Sequence, residues 1–178
     1  MGKSKLLGVL GGLGPMATVY FYELLTALTD AKSDQEHIDM VISSRATTPD
    51  RTAFILGESD TNPIDAMIED SKKLVAFGAE LIAIPCNTAH YFYDQLAAAV
   101  DVPILNIVEE SVAHLKHEGV KRFGLLATDG TVRSGTYQKY CEAHDIVCVT
   151  PGSEYQKLVT EIIYGQIKQG KRADMTMF

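Results

Sequence analysis

Six short apolar runs, "KLLGVL", "IDMVIS", "ELIAIP", "VPILNI", "RFGLLA" and "DIVCVT", alternate with longer amphipathic segments along the chain. Runs of this length, rich in Val, Ile and Leu, read as strands buried on both faces, and each is followed by a helical pattern. Strands joined through helices run parallel, with helices covering the sheet faces. The fold class is therefore α/β.

Local signals agree. "TNPIDAMIEDSKKLVAFG" offers Asn62 as a helix cap, Pro63 in the first turn and Gly78 as the stop. "GSEYQKLVTEIIYGQIKQGK" opens with Ser153 and has Gln156 three residues later, the spacing of a capping box. The segment 44–61, "SRATTPDRTAFILGESDT", has little core pattern and follows a strand, where functional loops of this class gather.

The chain also carries a short internal repeat. Sliding "LGVLGGLG" onto "FGLLATDG" brings Gly8 onto Gly124, Val9 onto Leu125, Leu10 onto Leu126 and Gly14 onto Gly130. Two pseudo-symmetric lobes are expected, each with a parallel sheet flanked by helices: residues 1–106 and residues 107–178.

Charge and cysteine usage narrow the function classes. A net charge of −7 supplies no basic footprint, which speaks against nucleic acid and against an anionic membrane surface. No apolar run approaches the roughly 18 residues of a spanning helix, and "MGKSKLLGVLGG" reaches glycine before a signal-peptide core forms. The expected location is cytoplasmic. Cys86, Cys141 and Cys148 form no CxxC and no zinc-spaced Cys/His set, so neither a disulfide frame nor a metal site is expected.

Several stretches carry chemistry, each with a plainer alternative. In "GVLGGLGPMATVYFYELL" the glycine turn frees backbone amides that can hold an anion at a helix N-terminus; it can equally be a tight turn with no ligand. It matches neither GxGxxG nor a Walker sequence, so no nucleotide is indicated. In "IPCNTAHYFYDQL" the strand ends at Pro85, which puts Cys86 at the carboxyl edge of the sheet near a helix start, where unpaired amides favour the thiolate. Asn87 and Thr88 either cap that helix or direct donors into the same crevice. The competing view is a structural cysteine followed by cap residues. His90 lies within one turn of Cys86 but lacks an acidic orienting partner, so a packing or surface role is expected for it.

Arg51 in "TTPDRT" suits bidentate binding of a carboxylate, with Arg45 as a rival and a solvated loop arginine as the plain reading. Thr128 and Thr131 stand at a helix start in the second lobe, as caps or as ligand hydroxyls. Cys141 and Cys148 fall where packing is the usual role. Lys157 sits in the first turn of its helix, where the dipole disfavours a cation; it is there either for a ligand carboxylate or as a solvated side chain.

Taken in order, "GGLGPMAT", "PDRT", "PCNTAHYFYD", "PILNIVEES", "GLLATDGT" and "QKLVTEIIYG" resemble the aspartate/glutamate racemase family, in particular its aspartate racemase branch. The resemblance covers essentially the whole chain. It implies two α/β lobes facing each other across a cleft, no pyridoxal phosphate or other cofactor, no metal, and a small acidic amino acid as partner; a homodimer is expected separately, because an incomplete second lobe would expose apolar surface. Two opposed cysteines do the chemistry: one thiolate removes the Cα proton and the other thiol protonates the opposite face. Residue by residue, Cys86 matches the first cysteine, and Asn87 and Thr88 match the positions that hold the α-carboxylate. Arg51 matches the arginine of "PDRT" that grips the side-chain carboxylate, and Lys157 a lysine placed for the same end. Leu13, Thr52 and Thr128, in the same motifs, complete the expected substrate-binding set.

Two departures stand out. The family's second cysteine lies in a "GCTE"-like strand end, and no such sequence occurs; the offset that carries Gly8 to Gly124 carries Cys86 past Phe178. The second lobe is therefore expected to be incomplete. "SSRATTPDRT" also lacks the asparagine that the resemblance leads one to expect before "PDRT", which leaves aspartate against glutamate open. The expected function is cofactor-independent racemisation of an acidic amino acid. The alternatives are a catalytically impaired dicarboxylate-binding remnant and, more remotely, a thiol hydrolase using Cys86 with His90.

Overall fold

A computed structural model describes residues 5–177. In chain order the elements begin with β1 (Leu7–Gly11), α1 (Pro15–Leu28), β2 (Met40–Ser44), α2 (Arg51–Ile55), α3 (Ile64–Phe77), β3 (Leu81–Ala83) and α4 (Tyr93–Ala97). They continue with α5 (Ile107–His117), β4 (Arg122–Gly124), α6 (Asp129–Ser134), α7 (Thr136–Ala143), β5 (Val147–Val149) and α8 (Ser153–Thr160). The fold is α/β with parallel sheets flanked by helices. By backbone proximity the chain forms two units. One runs to Pro49 and resumes from Pro63 to Asn106; the other consists of Asp50–Asn62 and the chain from Ile107 onward.

In the first unit β1 is the central strand, buried throughout, with β2 on one side and β3 on the other. Leu7 pairs with both Met40 and Leu81, and Val9 with both Ile42 and Ala83. Residues of "VPILNI" join β3 through one bridge, Ile82 to Ile104, where a full strand was expected. Pro103 has no amide hydrogen to extend the ladder; its carbonyl accepts from Ile82 at 2.9 Å, and the Leu105 amide donates to Ile82 at 2.8 Å.

Gly8 lets α3 and the turn after it press onto one sheet face: a Cβ there would stand 3.3 Å from the Leu74 Cβ and 2.9 Å from the Ala79 Cβ. Leu10, Ile82 and Ile84 are fully buried on that side. On the opposite face α1 packs Phe21 and Leu25 onto Leu7, Val9 and Ala83. The helix α3 ends at Gly78 in the left-handed conformation, as its sequence indicates, whereas the residue at its N-cap is Pro63 and not Asn62.

The second unit is built on the parallel pair β4 and β5, with Phe123 opposite Cys148. Val108 and Val112 from α5, Tyr137 and Cys141 from α7, and Leu125, Ala127 and Ile146 form its core. The helix α2 belongs to this unit. It arises inside the segment expected to be a loop, because Asp50 caps it by accepting from the Ala53 amide at 2.8 Å. Its inward residues are Arg51 and Thr52, which no apolar pattern signals. The expected capping box of α8 does not form: Gly152 is the N-cap and the Gln156 side chain turns inward. Among the described residues no helix is long and apolar enough to cross a membrane.

Candidate active site

Parallel register brings the ends of β1, β2 and β3 to one edge of the first sheet. The turn after β1 contains Gly12 at φ +79°, and a Cβ there would run into the main chain of Arg45, just after β2. Thr18 of α1 holds this turn: its Oγ1 accepts from the Gly12 amide at 2.9 Å and donates to the Gly14 carbonyl at 3.3 Å. Leu13 follows as a buried residue of the same turn. Arg45 does not behave as a free rival of Arg51. Its guanidinium binds Glu69 at 2.8 Å and Asp70 at 3.5 Å, and Lys73 closes the network at 2.6 Å to Glu69.

Cys86 stands at this edge, after β3. Its amide donates to the Ile84 carbonyl at 2.7 Å, a three-residue turn that ends the strand. Cys86 is half-buried and in no disulfide. The expected α-helix after it is instead a short 3-10 turn, Thr88–Phe92, leading into α4. Asn87 occupies the N-cap position without a side-chain cap bond and is exposed, whereas Thr88 is buried. His90 is buried, with Nδ1 2.9 Å from the Cys86 carbonyl and Nε2 3.4 Å from the Leu105 carbonyl. A neutral imidazole meets the shorter contact by donating from Nδ1. Burial pushes its pKa down, and the hydrogen bonds to backbone only partly oppose this. Both ring nitrogens thus face backbone carbonyls, those of Cys86 and Leu105.

In the second unit Arg51 and Thr52 are both buried. Gly130 lies against Thr52 so closely that an added Cβ would be 2.9 Å from the Thr52 Cα. Thr128 caps α6, its Oγ1 accepting from the Thr131 amide at 3.3 Å and lying 3.1 Å from the Thr131 hydroxyl. Gln156, which the sequence presents as a cap, donates from Nε2 to the Ala127 carbonyl at 2.9 Å, and Thr160 donates to Asp129 at 2.6 Å. The hydroxyls of Thr52, Thr128 and Thr131 and the amide of Gln156 thus gather around the turn after β4, with Arg51 buried next to Thr52 on α2. Lys157 follows Gln156 on α8 as an exposed residue in the second turn and not the first. Cys141 and Cys148 lie in or against the core; burial, with Cys141 beside it, pushes the Cys148 thiol up to about 11. Among the described residues no group of three His, Cys, Asp or Glu side chains is arranged to hold a metal ion.

Chemically, the first unit offers a half-buried cysteine at a sheet edge, and the second a buried arginine on the helix that abuts a group of threonine hydroxyls. The profile of the family described as Asp/Glu/Hydantoin racemase matches residues 10–177. The chain belongs to this family. Amino-acid racemases are among its relatives. The broad specificity amino-acid racemase RacX of Bacillus subtilis (strain 168) is 32% identical over 168 residues, which cover 92% of this chain and 71% of that protein. The Picrophilus torridus aspartate racemase structure matches with a TM-score of 0.85 at 33% identity, over 93% of this chain and 69% of that one. An aspartate racemase homologue from Pyrococcus horikoshii OT3 matches with a TM-score of 0.75 at 27% identity, over 94% and 73% of the two chains. The motifs that carry the racemase resemblance all lie within the matched span.

Proposed function

We propose that this racemase-family chain acts on an acidic amino acid, aspartate or glutamate, and that Cys86 moves its Cα proton. The thiolate takes the proton, so that an S–H bond forms as the Cα–H bond breaks and the electron pair is left on the planar carbanion. Delivery of a proton from water to the other face of the carbanion gives the enantiomer, and loss of the Cys86 S–H proton to solvent restores the thiolate. The observation that carries this reading is the setting of Cys86: a half-buried cysteine at the carboxyl edge of a parallel sheet, where α/β proteins bind ligands.

The roles proposed for the first unit are the Cα proton for Cys86, the α-carboxylate for Asn87 and Thr88, and a wall for Leu13. Those proposed for the second are the side-chain carboxylate for Arg51 with Thr52, and further polar contacts from Thr128 and Lys157. We place the reaction in the cytoplasm, in a homodimer, and without pyridoxal phosphate or metal. The test is racemisation of L-aspartate, L-glutamate and a panel of other amino acids, followed by chiral analysis. Turnover above that of Cys86→Ala supports the proposal, and a rate equal to that variant's overturns it.

One observation favours a second reading, a dicarboxylate-binding protein with impaired turnover. Among the described residues the other two thiols, Cys141 and Cys148, are packed at the second core and not at a sheet edge. That reading predicts saturable aspartate binding that depends on Arg51; calorimetry showing no heat at millimolar aspartate rejects it.

A further inference from the structure

Arg45, the residue after β2, is held at three points. Its guanidinium is gripped by α3, with Nη1 2.8 Å from Glu69 and 3.5 Å from Asp70. Asp70 is buried, and a buried carboxylate needs a compensating cation; Arg45 and Lys73 supply the charge, each at 3.5 Å. The Arg45 carbonyl accepts from the amide of Thr48 at 3.2 Å and from its hydroxyl at 2.9 Å, which closes a four-residue turn on a buried side chain. Finally, the Arg45 main chain backs the turn after β1. A Cβ at Gly12 would lie 2.6 Å from the carbonyl carbon of Arg45 and 2.8 Å from that of Ser44, so Gly12 rests on bare backbone. From the other side the Thr18 hydroxyl accepts from the Gly12 amide at 2.9 Å. The turn that carries Leu13 is thus clamped between α1 and the main chain of Arg45.

We propose that Arg45 is a positioning residue for ligand binding: its ion pairs with α3 fix the main chain against which turn 12–14 is set, and so fix Leu13 and the turn amides where they meet the ligand. The inference rests on the reading above that an acidic amino acid binds at this sheet edge. Ion pairs between exposed groups add little to the stability of a fold, and the Arg45 and Glu69 side chains are 36% and 53% exposed. The effect of the network is geometric, since it ties the end of β2 to the helix packed on the same sheet. One nitrogen, Nη1, makes both contacts to α3, so the position demands a cation at that point and not the planar fork of a guanidinium. A lysine can meet that demand.

Two measurements on the full chain test this: calorimetry with L-aspartate, and amide hydrogen exchange read by mass spectrometry. Arg45→Met and Arg45→Lys are the variants, and thermal unfolding is the check on folding. The expected result is that Arg45→Met keeps a midpoint close to that of the unaltered chain, binds aspartate about tenfold more weakly and exchanges the Gly12 amide at least about tenfold faster, while Arg45→Lys restores both. Unchanged exchange in folded Arg45→Met overturns the inference. Faster exchange with unchanged affinity overturns it as well, because the turn would then loosen without consequence for the ligand. If the unaltered chain gives no heat with aspartate, the acidic amino acid reading fails by itself, and exchange at Gly12 in Arg45→Met still decides whether Arg45 holds the turn. Should Arg45→Met fail to fold, Glu69→Ala, which removes the shorter contact, decides by the same two readouts.

Discussion

Gly130 and Thr52 approach each other across the α2–α6 contact so closely that position 130 has no room for a side chain: an added Cβ would lie 2.9 Å from both Cα and Oγ1 of Thr52. The helix that presents Arg51 is therefore seated on bare backbone. Gly130→Ala should push α2 away, costing about 1–3 kcal/mol of stability as overpacking does. Aspartate affinity, measured by calorimetry, should fall with it. An unchanged affinity would mean that the seat of α2 does not govern the position of Arg51.

Gln156 holds the turn after β4 through the Ala127 carbonyl. Gln156→Leu removes that donor and leaves a buried carbonyl unsatisfied, at a cost of about 1–3 kcal/mol. Gln156→Glu, whose carboxylate cannot donate, should be at least as damaging. Thermal unfolding of the two variants checks this, and a Glu variant as stable as the unaltered protein would contradict it.

His90 is buried and its pKa is lowered by desolvation. A base whose folded pKa lies below its unfolded value stabilises the fold fully above the unfolded value, near 6.5, and loses that contribution as the pH falls below it. Denaturant unfolding between pH 7 and pH 5 should show declining stability that is diminished in His90→Gln. The same decline in that variant would assign the titration to another group.

The ion network at Arg45 acts at lower pH. Lys73 and Arg45 hold the Glu69 carboxyl well below its ordinary 4.5, at about 2. A carboxyl with a depressed folded pKa stabilises above the unfolded value and loses this as pH falls toward the folded one, so the window is about pH 4.5 down to 2. Glu69→Gln should flatten acid unfolding in that window, and an unchanged acid transition would show the network to be inert.

The thiols should separate by reactivity. Cys141 is buried; Cys86 and Cys148 are both half-buried, but desolvation pushes the Cys148 thiol up to about 11, which keeps it protonated at neutral pH. A disulfide reagent at pH 7.5 should label Cys86 quickly and the other two slowly, as read by peptide mass. Fast labelling of Cys148 would contradict the packing of β5.

These expectations also mark what was legible in the chain. Strands β1, β2 and β3 announce themselves as continuous Val, Ile and Leu runs, and "IPC" marks where β3 must stop. Pro103 inside "VPILNI" was the local sign that this run contributes one bridge and not a strand. The helix α2 left no apolar period to read, because the residues it buries are Arg51 and Thr52 and the surface that accepts them, at Gly130, is distant in sequence. Gln156 misled for a related reason. Its spacing from Ser153 fits a local cap, while its partner Ala127 is reached only through the tertiary fold.

The central claim is that the Cys86 thiol exchanges the Cα proton of an acidic amino acid, and deuterium uptake tests it most directly. L- and D-aspartate are each incubated with the protein in D2O, and loss of the Cα proton signal is followed by NMR. With one reactive thiol on one face, the account predicts solvent deuterium entering one enantiomer much faster than the other, and a Cys86→Ala rate lower by about 100-fold or more. Exchange that proceeds equally in the protein and in Cys86→Ala would contradict it.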